Sequence, residues 1–292
     1  MSQPIGIAGA GRMAQALGRL LRERGESIAA IASRNAEHAG AAAIFVGGGA
    51  VAVTYDTLAQ HAAHVLIAVP DDAIAGVAET LSRCGMRGGV ALHTCGARGP
   101  EALAALAENG VSSGTLHPLQ TVANREEGVR VLPGSAFAVD GKPVAVAWAA
   151  ELAGLLHGTV LRIPAAARPL YHAAAVTASN YLIALVSAAV MLMKEAGVDE
   201  STARRVLEPL ARTSIRNAFE LGPVAALTGP IARGDADTVR AHLAAIGAAQ
   251  PGVVALYREV GRATLELARR QGLDAARADM IEDILREGRE RD

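Results

Sequence analysis

Short apolar runs and longer amphipathic stretches alternate through the first half of this chain. Apolar runs bounded by turn residues are typical of strands, and apolar residues spaced three and four apart are typical of helices. The runs predicted as strands are IGIA (5–8), SIAAIAS (27–33), AVAVTY (50–55), HVLIAV (64–69), GGVALH (88–93), GVSSGTLH (110–117), SAFAVDG (135–141) and TVLRIP (159–164). Because strands that alternate with helices pair in parallel, the pattern predicts an α/β domain with helices on both faces of a parallel sheet.

From Ala165 onward the pattern is helical almost to the end of the chain, which predicts two domains, residues 1–164 and 165–292. The stretch from Ala173 to Met193 carries no charge and is long enough to span a bilayer. It also contains Asn180, which is costly in the middle of a lone membrane helix. We therefore predict a helix that is buried by other helices of a soluble protein, with no membrane partner.

A glycine-rich turn follows the first predicted strand. Its sequence, Gly9-Ala10-Gly11-Arg12-Met13-Ala14, has the pattern G-x-G-x-x-A, and a helix pattern follows it. A strand, this turn and a helix in succession are the fingerprint of a dinucleotide-binding Rossmann-type domain. Gly9 permits the tight turn, Gly11 lets the backbone approach a pyrophosphate, and the helix N-terminus offers free N–H groups. We expect a dinucleotide to bind at residues 9–13; a glycine turn without a ligand is the alternative.

The end of the second predicted strand indicates which dinucleotide binds. An NAD site usually has an acidic residue there, to hold the ribose 2′-hydroxyl. This chain has Ser33 and Arg34 instead, and Glu37 falls inside the following helix pattern. A guanidinium and a hydroxyl suit a 2′-phosphate through charge-assisted hydrogen bonds. The sequence therefore predicts NADP(H) as the cofactor, although Arg34 can also be read as a solvated surface residue.

Further polar and small residues stand where other predicted strands end. Ligands of such sheets bind beyond the carboxyl ends of the strands. Val69 and Pro70 follow the fourth strand, Cys95 follows the fifth, and His117 ends the sixth. We expect Val69, Pro70 and Cys95 to line the cofactor site. No base neighbours Cys95 in the sequence, so a small wall residue is a better interpretation than a reactive thiol.

The composition narrows the class of protein. Apolar residues make up 51% and charged residues 20%, which is enough for a large core, and the formal net charge is −1. No basic or acidic block stands out, so nucleic acid is not an expected partner. The two cysteines, Cys84 and Cys95, form no metal-binding pattern. The first residues lack the pattern of a secretion signal, and we predict a cytoplasmic protein without a metal.

Four segments carry a resemblance to known families: HTCGA (93–97), TLHPLQT (115–121), YHAAAVTASNYLIAL (171–185) and LTGPIARGD (227–235). With them the chain resembles the Rossmann-like oxidoreductases that have a C-terminal helical domain of unknown function, type 2520. It is more broadly similar to 6-phosphogluconate, β-hydroxyacid and ketopantoate dehydrogenases and to pyrroline-5-carboxylate reductase. The resemblance implies that the helical domain closes the substrate cleft and pairs into a homodimer, and we predict that this pairing buries the Ala173–Met193 helix. Cys95 departs from the family, where Ser is expected.

The resemblance also implies where the chemistry lies. The β-hydroxyacid branch supplies a proton from a Lys four residues before a helical Asn. Asn180 matches that Asn, but Val176 stands at the Lys position, and His172 stands one further turn back. Residues 172, 176 and 180 would share one face of an α-helix. We expect His117, His172 and Asn180 to meet in one cleft, with Asn180 orienting the substrate and one histidine donating a proton.

The expected activity is hydride transfer between NADPH and a small C=N or C=O substrate. The missing Lys slightly favours imines, because a protonated imine needs no further acid, whereas a ketone does. A 2-oxo-acid or ketone reductase and a non-catalytic NADP(H)-binding sensor remain alternatives. Arg233 is the expected clamp for a substrate carboxylate, unless it pairs with Asp235 instead.

Overall fold

The computed structural model describes residues 3–286. They form two compact units, one up to Ser179 and one from Asn180 onward. The sequence predicts the boundary near Pro164, at the start of the helical half. In the structure the first helical segment after Pro164 packs with the first unit, because its side chains bond to residues on the sheet.

The first unit is built on one sheet of eight strands. The strands are β1 (Ile5–Ala8), β2 (Ile28–Ala32), β3 (Val51–Val53), β4 (His64–Ile67), β5 (Val90–His93), β6 (Ser112–Pro118), β7 (Ala136–Gly141) and β8 (Thr159–Arg162). Their order across the sheet is β3-β2-β1-β4-β5-β6-β7-β8. The six strands from β3 to β6 are all parallel, which confirms the predicted Rossmann-type sheet.

The parallel prediction is wrong for one strand pair. Strand β7 runs antiparallel to β6, with His117 opposite Ala138, and β8 then pairs in parallel with β7. A parallel neighbour of β6 would need a crossover that returns the chain to the starting edge of the sheet. The short helix between β6 and β7 makes no such return. Strand β7 therefore places Asp140 opposite Thr115 of β6, three positions before Pro118.

Helices cover both faces of this sheet. They are α1 (Arg12–Glu23), α2 (Ala36–Val46), α3 (Tyr55–Leu58), α4 (Ile74–Arg83), α5 (Ala104–Glu108), α6 (Arg125–Val131), α7 (Pro143–Leu155) and α8 (Arg168–Val176). Two separate clusters of buried apolar side chains lie in this unit; one includes Ile7 of β1 and Trp148 of α7, and the other includes Ile67 of β4 and Leu81 of α4. The sheet is therefore apolar on both faces, as its parallel strands require.

The second unit is helical. Its helices are α9 (Leu182–Glu195), α10 (Glu200–Leu221), α11 (Pro223–Ala226), α12 (Pro230–Arg233), α13 (Ala236–Ala249), α14 (Pro251–Gln271) and α15 (Ala275–Arg286). Its core lies among α12 to α15 and is formed by side chains such as Val239, Leu265 and Ile281. Helices α9 and α10 bury only Val190 and Ala203, so they present most of their side chains to the surface of a single chain.

The uncharged stretch forms a helix that a single chain leaves exposed. Ala165–Glu195 forms one long helical segment, apolar and long enough to cross a membrane by length and composition alone. Within one chain it is not buried: Ile183 is 64% exposed, and Tyr181 is 61% exposed. The described helices of one chain therefore leave it exposed, and its burial against a second copy stays a prediction. A helical turn of the wider π type, Thr177–Tyr181, interrupts the segment.

Candidate active site

The glycine turn has the geometry that a bound phosphate needs. Gly9 has φ 126°, and a Cβ atom there would lie 2.2 Å from the carbonyl oxygen of Ala68 at the end of β4. Only glycine fits at this position, where the turn passes close to the end of β4. A Cβ at Gly11 would meet nothing within 4 Å, and α1 starts at the next residue. The N–H groups of the first turn of α1 therefore point at open space, the arrangement that binds anions in this fold.

The other residues of the turn have different surroundings. Ala14 is buried at the base of α1, so the helix approaches the sheet closely. Ala10 and Met13 are partly buried against the core. Arg12 is exposed and donates a hydrogen bond from Nη1 to the carbonyl oxygen of Ala123, 3.2 Å away. The Arg12 side chain is thus held by a neighbouring loop, and its contribution to a cofactor site stays a prediction.

A cleft lies at the carboxyl ends of β2, β3 and β4. It brings together four residues that the sequence assigns to the cofactor and several that it does not: Ser33, Arg34, Thr54, Tyr55, Asp56, Val69, Pro70, Ala73, Gly76, Val77 and Thr80. The Ser33 hydroxyl oxygen accepts a hydrogen bond from the backbone N–H of Asn35 at 3.2 Å, and Asn35 caps α2. Capping fixes the loop that carries Arg34, whose side chain is exposed.

Among the residues of this cleft that the sequence did not assign to the cofactor, Tyr55 lies nearest in role to Arg34. It is half-buried at the start of α3, directly after β3. Burial raises the pKa of its phenol, while the positive charge of Arg34 acts in the opposite direction. The two side chains are therefore close enough for their charges to interact. The rule that identified Ser33 at the end of β2 would also have identified Tyr55, had it been applied to β3.

A second, smaller cavity lies beyond the ends of β5 and β6. It is lined by Cys95, Gly96, Arg98, Thr115, His117, Ala138, Val139, Asp140, Ile163, Arg168 and Tyr171. Nδ1 of His117 and the phenol oxygen of Tyr171 are 2.8 Å apart, which is a hydrogen bond. The two rings are perpendicular, with centroids 5.7 Å apart. Tyr171 lies on α8, and sequence reasoning singled out its neighbour His172 instead.

His117 is a neutral imidazole at neutral pH. Burial, followed by the nearby His172, lowers its pKa to about 4, although the carboxylate of Asp71 acts to raise it. The centroids of the His117 and His172 rings are 6.5 Å apart. Nδ1 of His172 is buried without a hydrogen-bond partner among residues 3–286. The structure thus brings together the two histidines that the sequence assigned to proton transfer.

Cys95 is a wall residue of this cavity. It is 6% exposed. Burial and a hydrogen bond to the Asp71 carboxylate raise the pKa of its thiol to about 11. Its backbone N–H donates to Nδ1 of the buried His93, whose Nε2 bonds to the carbonyl oxygen of Gly99 at 2.8 Å. A thiol with so high a pKa is almost entirely protonated at neutral pH and is a poor nucleophile.

Two arginines line the same cavity, and only one of them forms ion pairs. Arg168, with 13% of its side chain exposed, pairs with Asp140 of β7 and with Glu101, whose Oε1 is 3.6 Å from Nη1. These ion pairs fasten the start of α8 to the sheet. The exposed side chain of Arg98 makes no hydrogen bond or ion pair within the described part of the chain. An anionic ligand can therefore bind Arg98 without breaking an existing ion pair, whereas Arg168 is already paired.

The second unit contains the two remaining predicted residues. Asn180 is exposed and lies in the π-type turn Thr177–Tyr181. The wider π turn lies between positions 176 and 180, and the shared face of positions 172, 176 and 180 stays a prediction. Arg233 ends α12, is exposed, and lowers the pKa of Asp235 less than Thr238 does. The catalytic roles of Asn180 and Arg233 stay predictions.

No group of three or more His, Cys, Asp or Glu side chains within residues 3–286 is arranged to hold a metal ion. The open glycine turn and the Ser33–Arg34 loop lie on the same sheet edge, which is the edge at which this fold binds dinucleotides.

Two protein families match the sequence. The Rossmann-like domain matches residues 2–118, and the domain of unknown function DUF2520 matches residues 135–264. Among proteins of curated function, none matches this sequence at a significant level.

Solved structures with the same fold cover nearly the whole chain. A candidate NADP oxidoreductase of Bacteroides fragilis is 24% identical with a TM-score of 0.76, covering 91% of this chain and 98% of its own. A reductive aminase of Aspergillus terreus, solved with a form of NADPH, cyclohexanone and allyl amine, is 17% identical with a TM-score of 0.61, covering 98% and 93%. The pyrroline carboxylate reductase of Plasmodium falciparum, solved with NADP, is 10% identical with a TM-score of 0.59, covering 97% and 99%.

At these identities the structures show a common fold. The family matches confirm the resemblance that the four sequence segments indicated, and they fall on the sheet and on the helical half in the expected order. The chain thus combines a Rossmann-like domain, residues 2–118, with a DUF2520 domain, residues 135–264.

Proposed function

We propose that this protein is an NADP-dependent oxidoreductase that transfers a hydride between NADPH and a small C=N or C=O substrate. The observation that carries the proposal is the cleft in which Ser33 and Arg34 stand at the end of β2, beside an open glycine turn at the end of β1. The cleft fits an adenosine with a 2′-phosphate, and the turn fits a pyrophosphate. When bound, NADPH supplies the hydride.

The residues of this chain have separable tasks in that reaction. Gly9 and Gly11 let the backbone and the first turn of α1 approach the pyrophosphate. Arg34 donates to the 2′-phosphate, and Tyr55 closes the side of the cleft next to it. The cavity of His117 and Tyr171 lies beyond the ends of β5 and β6. In this fold that edge also faces the ligand, so the cavity supplies polar groups to the reacting end.

The proposal favours imines over ketones. The Lys that serves as acid in β-hydroxyacid dehydrogenases is replaced by Val176. His117 is neutral at neutral pH, so it adds no positive charge to that of Arg98 in this cavity. The reductive aminase and the pyrroline carboxylate reductase that share this fold carry names that refer to C=N substrates. These names support the choice of compounds to test.

One observation favours a second candidate, the reduction of a 2-oxo acid. Arg98 lines the cavity of His117 and Tyr171 and has no partner among the described residues. An unpaired guanidinium at a cleft suits a substrate carboxylate. An imine that carries a carboxylate would satisfy both observations. Arg98→Ala should then raise the KM for carboxylated compounds and leave the KM for uncharged analogues unchanged. Arg87→Ala is the control, because Arg87 bonds to Asn109 near the opposite end of β5.

We further propose a cytoplasmic homodimer in which a second copy of this chain covers the segment Ala165–Glu195. The segment carries exposed Tyr181, Ile183 and Val186. Exposure of such an apolar surface to water is unfavourable in free energy, and a second copy would remove it. A membrane is the competing occupant, and detergent-free solubility distinguishes the two.

The test of the function is consumption of NADPH, followed at its absorbance maximum, with a panel of cyclic imines, ketones and 2-oxo acids. NADPH binding is measured separately by titration. Binding with turnover of at least one compound class supports the proposal. Tight binding with no turnover of any class favours the non-catalytic sensor, and absence of NADPH binding contradicts both.

A further inference from the structure

Two polar side chains that bond to each other line the cavity beyond β5 and β6. The phenol oxygen of Tyr171 lies 2.8 Å from Nδ1 of His117. The phenol is half-buried at the cavity, and the imidazole stands at the end of β6. Two elements that are distant in sequence therefore hold one pair, and the pair faces the sheet edge at which this fold binds ligands.

The position of the histidine ring is constrained on its other side. A Cβ atom at Gly96, in the loop after β5, would lie 2.5 Å from Cε1 of His117 and 2.7 Å from its Nε2. The loop can pass the ring only because this residue has no side chain. Arg168, one helical turn before the tyrosine, anchors α8 to Asp140 and Glu101. Both partners of the hydrogen bond are thus fixed before any ligand arrives.

We infer that Tyr171 is the proton donor of the reaction, and that His117 is the positioning residue that holds its hydroxyl and returns a proton to it. The inference rests on the proposed function. The sequence favoured His117 or His172 as the proton donor. The inference assigns that role to Tyr171 instead, whose phenol would touch the substrate.

The proton balance of the step follows from the chemistry of the substrate. Addition of a hydride to the carbon of a neutral C=N or C=O group leaves an electron pair on the nitrogen or oxygen. The O–H bond of Tyr171 breaks and its proton forms the new N–H or O–H bond. The phenol oxygen then takes the proton at Nδ1 of His117, while Nε2 accepts one from water. The net reaction consumes one hydride from NADPH and one proton from solvent.

The charge states of the pair agree with these roles. With a pKa of about 4, His117 is protonated in about one molecule in a thousand at pH 7, which makes it a poor source of the first proton. A neutral imidazole can still donate at one nitrogen while it accepts at the other. The Tyr171 phenol has a pKa raised by burial and is therefore fully protonated at neutral pH.

The test compares substrates that need a proton with one that does not. The probes are cyclohexanone and, at a pH where it is neutral, 2-methyl-1-pyrroline, which both need a proton, and the N-methyl iminium salt of the same pyrroline, which has no site for one. Tyr171→Phe keeps the ring and removes the hydroxyl. We expect kcat for the neutral probes to fall by about 10²–10⁴-fold, the usual cost of losing a proton donor. The kcat for the iminium salt and the Kd for NADPH should not change.

The chain offers a matched control. In the helical unit His242 and Tyr257 form a second pair of the same geometry, with 2.8 Å between Nδ1 and the phenol oxygen and ring centroids 6.0 Å apart. Tyr257→Phe removes an equivalent hydrogen bond, and we expect normal turnover of all three probes. His117→Asn should lower kcat for the neutral probes less than Tyr171→Phe does. Melting curves establish that each variant is folded.

Each outcome decides something. Equal losses on the neutral probes and on the iminium salt would mean that Tyr171 is structural, which overturns the inference. Normal turnover by Tyr171→Phe together with a selective loss in His172→Gln would assign the proton to His172 and overturn it as well. If the unmodified protein oxidises NADPH with none of the probes, the proposed function fails and the donor role fails with it.

Discussion

Replacing Arg34 with alanine removes the cation that we assign to the 2′-phosphate. Arg34 is exposed at the cleft, next to Ser33, and its loop is held by the cap of α2. The loop conformation does not depend on the guanidinium, since the cap uses Asn35. Arg34→Ala should therefore change the cofactor preference without unfolding the protein, and melting curves of the two proteins should agree.

The exposure of Arg34 sets the size of the expected effect. A pair of unit charges 4 Å apart is worth about 1 kcal/mol in water and about 4 kcal/mol at a protein surface with partial screening. An exposed guanidinium belongs near the lower value, and its hydrogen bonds to the phosphate add to it. We expect NADPH to bind at least ten-fold more tightly than NADH, about 1.4 kcal/mol, and most of this preference should disappear in Arg34→Ala.

The assay is a calorimetric titration of the unmodified protein with NADPH and NADH, repeated with Arg34→Ala and Arg34→Lys. The lysine variant retains the charge but loses the planar pair of donors, so it should keep part of the preference. Arg87→Ala is the control, because it removes an exposed arginine near the opposite end of β5. Raising the salt concentration should reduce the preference for NADPH, because exposed charge interactions are screened.

Equal affinities of the unmodified protein for the two cofactors would refute the reasoning. The cleft also contains Asp56, a carboxylate that follows β3. A preference for NADH would indicate that this carboxylate holds the ribose 2′-hydroxyl in place of the missing acid of β2. Asp56→Asn would then lower the affinity for NADH, and Arg34→Ala would not affect it.

Further predictions follow from contacts in the first unit and from the exposed helix. Gly9→Ala should abolish NADPH binding in a titration and lower the melting temperature, since its Cβ would lie 2.2 Å from the Ala68 carbonyl oxygen. Gly96→Ala should lower kcat for neutral imines but leave NADPH affinity intact, because it displaces the His117 ring. Between about pH 4 and 6.5 the unfolded chain binds more protons at His117 than the folded chain, so the free energy of unfolding in urea should fall as the pH is lowered through this range, and less so in His117→Asn. Light scattering should give twice the monomer mass without detergent, and Ile183→Glu should give monomers; a monomeric unmodified protein contradicts the dimer.

The sheet could be predicted from the sequence because its signals are local. Each strand is an apolar run bounded by turn residues, and each of the eight predicted runs overlaps a strand of the structure. The end of each strand then gives the ligand edge, which is why Ser33, Pro70 and His117 were identifiable. The antiparallel direction of β7 was not identifiable in this way, since direction depends on where the connection from β6 leads and not on the residues of the strand.

The proton-transfer pair was only half predictable for a similar reason. His117 stands at a strand end, but Tyr171 follows a loop and a short helical turn, and its bond to His117 spans 54 positions in the sequence. The shared face of His172 and Asn180 stays a prediction, since the π turn of residues 177–181 changes the angle per residue along this helix. Burial of the apolar helix at a homodimer interface stays a prediction, because composition cannot tell which molecule covers a surface.

The position of the domain boundary has a consequence for the chemistry. Because Arg168 is paired with Asp140 and Glu101, the start of α8 is part of the sheet unit, although its sequence pattern belongs to the helical half. Tyr171 and His117 are therefore both fixed within one unit, and their hydrogen bond does not require any residue after Ser179. A substitution that loosens this anchor, such as Arg168→Ala, should weaken proton transfer through the pair while leaving the glycine turn and Arg34, on β1 and β2, able to bind NADPH. We expect Arg168→Ala to lose turnover of neutral imines and to keep its affinity for NADPH. This result would show that the ion pairs of Arg168 support the His117–Tyr171 pair and not the cofactor site.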